Sequence, residues 1–192
     1  MKSEKNIPFR RKREGRTNYK KRLLLLKSRL PRLIIRKTNR QIILQIAEYS
    51  QNGDRILCGV GSLSLKKEGW LYSCKNLPAC YLAGMVLGKK ALAKKIKKAI
   101  LDLGLQTTLG GTKVYAALKG AIDAGMEIPA SEEIWPKQDR LTGEHIAKFF
   151  SFPKDAAQPG AGTQFAEYKR NKIDANKLKN DFENLKKKIL SG

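Results

Sequence analysis

The sequence predicts an α/β fold in which a mixed sheet, formed by an antiparallel meander plus a crossover strand, is packed by helices. Three short runs rich in β-branched residues follow one another between residues 32 and 61, separated by turn residues. A stretch with helical spacing at 79–97 then precedes a short apolar run, which is the order of a crossover connection. Because basic residues crowd the N-terminus and helical spacing returns near the C-terminus, we also expect a basic N-terminal extension and a C-terminal helical tail.

The N-terminal extension, residues 1–31, is the strongest charge signal in the chain. Of the 40 Lys and Arg residues, 16 lie within residues 1–40, where only two acidic residues oppose them. The resulting local excess of +14 is more than half of the net charge of +23. The leucine spacing over 18–29 predicts a helix, and Pro31 would end it because the residue before a proline avoids the helical region.

The meander is predicted from strand-like runs at 32–37, 41–49 and 55–61. Turn residues at 38–40 and 52–54 separate them, so consecutive strands are expected to pair antiparallel.

The crossover follows the meander. Helical spacing of apolar residues predicts a helix from Ala79 to about Lys97, and residues 99–103 read as a short buried strand. A further helix is predicted at 112–124, and Gly84-x-x-x-Gly88 indicates close helix packing. The other side of the first helix is basic and is a candidate second contact surface, with a solvated face as the alternative. Its lysines are Lys89, Lys90, Lys94, Lys97 and Lys98.

The charge reverses after the second helix. Six acidic residues between Ala121 and Ala147 face two basic ones, so this segment is expected to lie against solvent or a basic protein. A short helix is predicted near 143–150, and the Pro and Gly content of 151–165 is typical of a linker. Helical spacing at 166–190 predicts a peripheral helix or one ordered by a partner. The domains are therefore a basic extension (1–31), an α/β body (32–150), and a linker with a helical tail (151–192).

The charge balance restricts the class of partner. A body with a net charge of +23 and 41% apolar residues has a real core and needs an anionic partner, for which nucleic acid is the default. A membrane surface is disfavoured, because membrane-seeking basic helices carry Trp, Phe and Leu opposite the charges. No apolar run reaches the length of a membrane span or a signal peptide, so we expect a soluble, intracellular protein.

No motif for catalysis, a metal or a cofactor is evident. The three cysteines, Cys58, Cys74 and Cys80, lack metal-ligand spacing and are expected to be small buried apolar residues. His145 has no serine or cysteine motif in support and reads as structural. Gly110-Gly-Thr-Lys113 opens a helix and is not a Walker motif; phosphate binding and a plain glycine-rich turn both remain open.

In order, these segments resemble the archaeal form of the 5S ribosomal RNA-binding family numbered eighteen among the large-subunit ribosomal proteins. The resemblance spans roughly residues 9–150. The matching stretches are Arg10–Tyr19, Lys21–Leu23, Leu30–Asn39, Asn76–Gly84, Gly88–Leu92, Val114–Gly125, Ile128–Pro129 and Gly143–Ala147.

The resemblance implies a place in the central protuberance of the large subunit, between 5S and the large ribosomal RNA. It also implies neighbouring large-subunit proteins as partners, including the other 5S-binding protein, number five in the series. RNA contacts are expected from the N-terminal arginines, Tyr19, the 36–40 hairpin and Lys113. Together with the charge pattern, the candidate RNA-binding residues are Arg10, Arg11, Arg13, Arg16, Tyr19, Lys21, Arg22, Arg29, Arg36, Lys37, Asn39, Arg40 and Lys113.

The sequence thus predicts a non-enzymatic structural ribosomal protein of the cytoplasm that recognises RNA by shape and backbone. The alternatives are a non-ribosomal RNA-binding or chaperone protein and, from another class, an RNA-modifying enzyme.

Overall fold

The centre of the fold is a mixed sheet with the strand order β3-β2-β1-β4. A computed structural model describes residues 7–107, 109–151 and 165–191 of the protein. In it, β1 pairs antiparallel with β2 and parallel with β4, and β2 pairs antiparallel with β3. The predicted meander plus crossover strand is therefore confirmed. The strands are β1 (Arg32–Lys37), β2 (Ile42–Glu48), β3 (Arg55–Gly61) and β4 (Ile100–Asp102).

Two short helices precede the sheet, α1 (Arg10–Arg13) and α2 (Tyr19–Lys27). Asn18 caps α2, because its side chain accepts a hydrogen bond from the backbone N–H of Lys21. The helix ends before Pro31 as predicted, but two residues earlier than expected. No residue of α2 is buried, so the leucine spacing that predicted this helix does not mark a core-facing side.

The helical layer on one face of the sheet consists of α3 (Leu77–Ala93) and α4 (Lys113–Asp123). The structure ends α3 four residues before the predicted Lys97. Lys95 adopts a left-handed φ of 61°, and Ile96 N–H donates to the Ala91 carbonyl, which closes a Schellman motif. The sequence did not predict this end because a lysine occupies the position that usually holds glycine.

Helices α3 and α4 approach so closely that glycine is required on both. A Cβ added at Gly84 would lie 2.0 Å from the carbonyl oxygen of Ala117, and one at Gly120 would lie 2.0 Å from that of Tyr81. The close packing predicted from Gly84 and Gly88 is confirmed, and the partner helix is α4.

The C-terminal part of the chain packs on the body instead of remaining peripheral. After α5 (Gln138–Thr142) and α6 (Glu144–Phe150), the structure continues with α7 (Ala166–Arg170) and α8 (Leu178–Ser191). Leu178, Phe182 and Leu185 are buried in the common core. The predicted C-terminal helical tail is therefore confirmed, but it consists of two helices and is not peripheral. Most of the predicted linker lies outside the described residues.

All three cysteines are free and buried, as predicted. Burial raises the pKa of the Cys58 and Cys74 thiols and raises that of Cys80 to about 12. Because the thiolate is the reactive form, we expect no alkylation by iodoacetamide at pH 8 in the folded protein and three modified cysteines after unfolding. Mass spectrometry with and without denaturant measures this, and rapid labelling of Cys80 in the folded state would contradict its burial.

None of the helices in the described part of the chain combines the length and apolar character needed to cross a membrane.

Candidate nucleic-acid interface

One face of the sheet lies beneath the N-terminal extension. Arg32, Ile34 and Arg36 share this face, since alternate residues of a strand point the same way. Their neighbours Leu33 and Ile35 are fully buried on the other face, toward the helices. A groove of 470 Å³ separates the extension from the sheet and is lined mainly by charged and polar side chains. They include Arg11, Arg16, Tyr19, Lys21, Arg22, Arg32, Arg36, Asp54 and Asp102.

The floor of this groove, which we call the sheet groove, holds a continuous chain of ion pairs. Asp54, in the turn before β3, receives two hydrogen bonds from Arg22 of α2, at 2.9 and 2.8 Å. Its Oδ2 also lies 2.6 Å from Nη2 of Arg32. The side chain of Arg32 is 1% exposed, so this guanidinium needs carboxylate partners to be stable inside the protein.

Asp102, at the end of β4, provides the second partner of Arg32. Its Oδ2 accepts from Arg32 Nη1 at 2.9 Å, and its Oδ1 lies 3.1 Å from Arg36 Nη2. Oδ1 also accepts from the backbone N–H of Gly104 at 2.8 Å. The chain of charges therefore runs from α2 across the sheet to β4, and the two carboxylates hold three arginines in place.

The electrostatic effect of this chain is clearest at its α2 end. Hydrogen bonds from Arg22 lower the pKa of Asp54 despite partial burial, and the same contact raises the pKa of Arg22. Both groups are consequently ionised throughout the neutral range. The side chain of Arg22 is only 29% exposed and is held by two hydrogen bonds to its carboxylate. It therefore differs as a phosphate ligand from Arg10 of α1, which pairs with Glu14 at 3.4 Å but remains 75% exposed.

A second cleft of 540 Å³ opens where α3 and α4 begin, and four basic side chains line it. They are Lys37, Lys75, Lys113 and Arg140. The cleft also contains Gly110 and Gly111 and the N-cap residue Thr112, whose Oγ1 is buried and has no hydrogen-bond partner among the described residues. The positive end of a helix together with lysines favours an anion such as phosphate.

The structure distributes the thirteen candidate RNA-binding residues over these two surfaces. Six line the sheet groove, namely Arg11, Arg16, Tyr19, Lys21, Arg22 and Arg36. Three line the second cleft, namely Lys37, Asn39 and Lys113. The other four, Arg10, Arg13, Arg29 and Arg40, are exposed and line neither. The rings of Tyr19 and Phe9 pack at a tilt of 41°, with centroids 5.1 Å apart, so the extension has its own aromatic contact.

Several residues of these surfaces were not predicted. Arg32 and Asp102 were predicted only as strand residues, and Asp54 only as a turn residue. Their ion pairs were not predicted, because the residues that pair are distant in the sequence. Lys75 and Arg140 reach the second cleft from segments that carry no basic cluster. A charged residue within an apolar strand, as Arg32 and Asp102 are, is the signal that could have found the ion-pair chain.

The predicted lysine face of the first long helix is not a single helical surface. Since α3 ends at Ala93, Lys94, Lys97 and Lys98 lie beyond it. Lys94 Nζ donates to the carbonyl of Leu57, and Lys98 pairs with Glu127 at 3.1 Å. Lys94 and Lys98 therefore contact neighbouring segments as well as carrying charge.

No group of three or more His, Cys, Asp or Glu side chains that could hold a metal ion occurs within residues 7–107, 109–151 and 165–191.

Comparison with known proteins gives consistent matches. The family model for ribosomal large subunit proteins 60S L5 and 50S L18 matches residues 3–98 and 93–131. The large ribosomal subunit protein uL18 of Korarchaeum cryptofilum (strain OPF8) is 44% identical over 184 residues, which are 95% of this chain and 93% of that protein. The chain therefore belongs to the family of large-subunit ribosomal proteins that comprises 60S L5 and 50S L18.

Proposed function

We propose that this protein is a structural constituent of the large ribosomal subunit that binds 5S rRNA and helps to attach it to the large rRNA in the central protuberance. The observation that carries the proposal is the sheet groove, where a basic extension is held over one face of the sheet with its arginines exposed. Family membership supports the ribosomal role and a place in the cytoplasmic ribosome. The choice of 5S rRNA rests on the sequence resemblance described above.

Recognition would act mainly on the RNA backbone. The bases of an A-form helix are hidden in a deep, narrow groove, whereas its phosphates are exposed. Arginines of the extension offer planar, two-pronged contacts to phosphate. The second cleft adds Lys37, Lys113 and the positive end of α4 as a further phosphate site. Residues 1–31 thus act as the RNA-binding extension of the body at 32–150.

The acidic segment, residues 121–147, gives the body a surface whose charge is opposite to that of the extension. Of its six acids, Asp123 accepts a hydrogen bond from Tyr81 Oη, and Glu127 and Glu144 pair with lysines. Glu132, Glu133 and Asp139 are exposed. Because phosphate is repelled by such a surface, we propose that it faces solvent or a basic neighbour in the subunit, with the other 5S-binding protein as one such neighbour.

A non-ribosomal RNA-binding or chaperone protein is the alternative function, and competition between RNAs separates the two. We expect the purified protein to bind a 5S rRNA transcript about a thousandfold more tightly than an unrelated structured RNA of equal length, the lower end of the range for specific protein–DNA complexes. Filter binding at 0.15 M salt measures this ratio. Equal affinity for both RNAs would argue for the alternative, whereas recovery of the RNA chemically altered would point to an enzyme.

A further inference from the structure

The feature that the proposed function leaves unexplained is an acidic residue inside a basic, RNA-facing groove. Asp54 lines the sheet groove together with Arg16, Tyr19 and Lys21, which are proposed RNA contacts. A negative charge in this position repels phosphate, so on charge alone it would weaken binding.

Apolar burial does little to hold α2 in place over the groove. No residue of the helix is buried, and Leu23 and Leu24 are 60% and 59% exposed. A helix of nine residues is also too short to be stable in water by itself. Only Leu25 and Leu26 among its leucines are partly buried, so the position of α2 depends mainly on specific polar contacts with the body.

Asp54 provides such a contact, and its own carboxylate is held in place by the sheet. Both of its oxygens are engaged by Arg22 of α2, at 2.8 and 2.9 Å, which is the bidentate geometry of strong carboxylate–arginine pairs. Oδ2 of the same carboxylate also lies 2.6 Å from Nη2 of the buried Arg32, which Asp102 holds in turn. The sheet thus fixes Asp54, and Asp54 fixes α2.

We propose that Asp54 is a positioning residue for RNA binding, whose carboxylate orders α2 so that the basic side chains of the extension are placed for phosphate before RNA arrives. This inference rests on the proposed RNA-binding function. An extension that is already ordered loses less conformational entropy on binding than a mobile one. Asp54 therefore raises the affinity for RNA although its charge opposes it.

Comparison of D54N with E127Q tests the sign of this effect. Both variants remove one negative charge, and Glu127 is an exposed residue, 63% accessible, whose partner Lys98 lies outside both basic surfaces. Charge alone predicts slightly tighter binding of a 5S rRNA transcript by both. We expect E127Q to bind at least as tightly as the wild type and D54N to bind about tenfold more weakly, the loss that follows when one or two long side chains must be newly ordered.

Limited digestion of the free protein with trypsin supplies a measurement that does not depend on the attraction between the protein and RNA. Neither substitution alters a trypsin site, yet we expect D54N to be cut faster within residues 10–29, because α2 is no longer held. D54E, which keeps the carboxylate, should restore part of both the protection and the affinity. The wild type and E127Q should be cleaved at the same rate.

A second variant covers the case in which D54N does not fold, as judged by circular dichroism. R22K keeps the positive charge and leaves Arg32 its partner, but a lysine cannot make the bidentate contact. We expect faster cleavage of the extension and weaker RNA binding. Unchanged cleavage in R22K, or unchanged cleavage and affinity in a folded D54N, would overturn the inference.

A further variant distinguishes a failure of the inference about Asp54 from a failure of the proposed function. This four-arginine variant has glutamine in place of Arg10, Arg11, Arg13 and Arg16. If that variant binds RNA weakly while D54N behaves like E127Q, the proposed function stands and the role of Asp54 is wrong. If the four-arginine variant binds as the wild type does, the extension is not the RNA-binding segment, and the proposed function fails with it.

Discussion

A variant with glutamine in place of four arginines of the extension is expected to bind 5S rRNA roughly three to four orders of magnitude more weakly than the wild type at 0.1 M salt. The four are Arg10, Arg11, Arg13 and Arg16, all exposed. Each neutralised phosphate releases counterions, so the affinity varies roughly as the salt concentration to the power −0.9 per contact on a duplex. At 0.1 M salt, each lost contact therefore lowers the affinity about eightfold. The plot of log affinity against log salt should also flatten by about 3 to 4.

The matched control removes four positive charges from another exposed surface. Lys169, Arg170, Lys177 and Lys187 lie on the C-terminal helices or next to them, away from the two basic clefts. Their replacement by glutamine lowers the net charge equally and should leave the salt slope almost unchanged, because distant charges are screened at this ionic strength. Equal losses in the two variants would show that binding follows net charge alone, without a specific role for the extension.

Alanine at Gly84 or at Gly120 is expected to destabilise the protein by about 3 kcal/mol or more, the upper part of the range for overpacked cores. In each case the new Cβ would meet a backbone carbonyl oxygen at 2.0 Å, and a backbone atom moves only if the whole helix moves. The gain of about 1 kcal/mol in helix propensity from glycine to alanine is too small to offset this clash. Chemical denaturation monitored by circular dichroism measures the change.

Gly110 provides the control for the glycine variants. A Cβ added there would find its nearest neighbour, a backbone atom, at 3.7 Å, which is ordinary contact, and its φ is not left-handed. Gly110→Ala should therefore change the free energy of unfolding by less than about 0.5 kcal/mol. A stable Gly84→Ala variant with the midpoint of the wild type would contradict the close approach of α3 and α4.

The regular elements of the body could be predicted because their signals are local. β1 and β3 begin and end where the β-branched runs do, and α4 lies within one residue of its predicted bounds. The end of α3 could not be predicted, because a lysine takes the left-handed conformation at Lys95 and no glycine marks it. The packing of α8 was also missed, since spacing shows an apolar side but not the surface that covers it.

The candidate site was predicted as a set of residues but not as an arrangement. The local excess of basic residues predicted the arginines of the extension as RNA contacts, with no difference between Arg22 and the others. The structure distinguishes them, because Arg22 is paired with Asp54 while the arginines of α1 remain exposed. It also brings Lys75 and Arg140 to the cleft that contains Lys113, from segments 38 and 27 residues away in the sequence.

The sequence by itself determined the α/β class, the strand order of the meander, and the polarity of a basic N-terminal end and an acidic later segment. These properties depend on composition and on spacing within a few residues, so the linear chain contains them. Only the tertiary structure decided which charges meet. Arg22, Asp54, Arg32 and Asp102 form one chain because strand pairing brings β1 beside β4 and the turn before β3 close to α2. Coulomb interactions act through space, and their strength depends on distances and burial that folding alone sets.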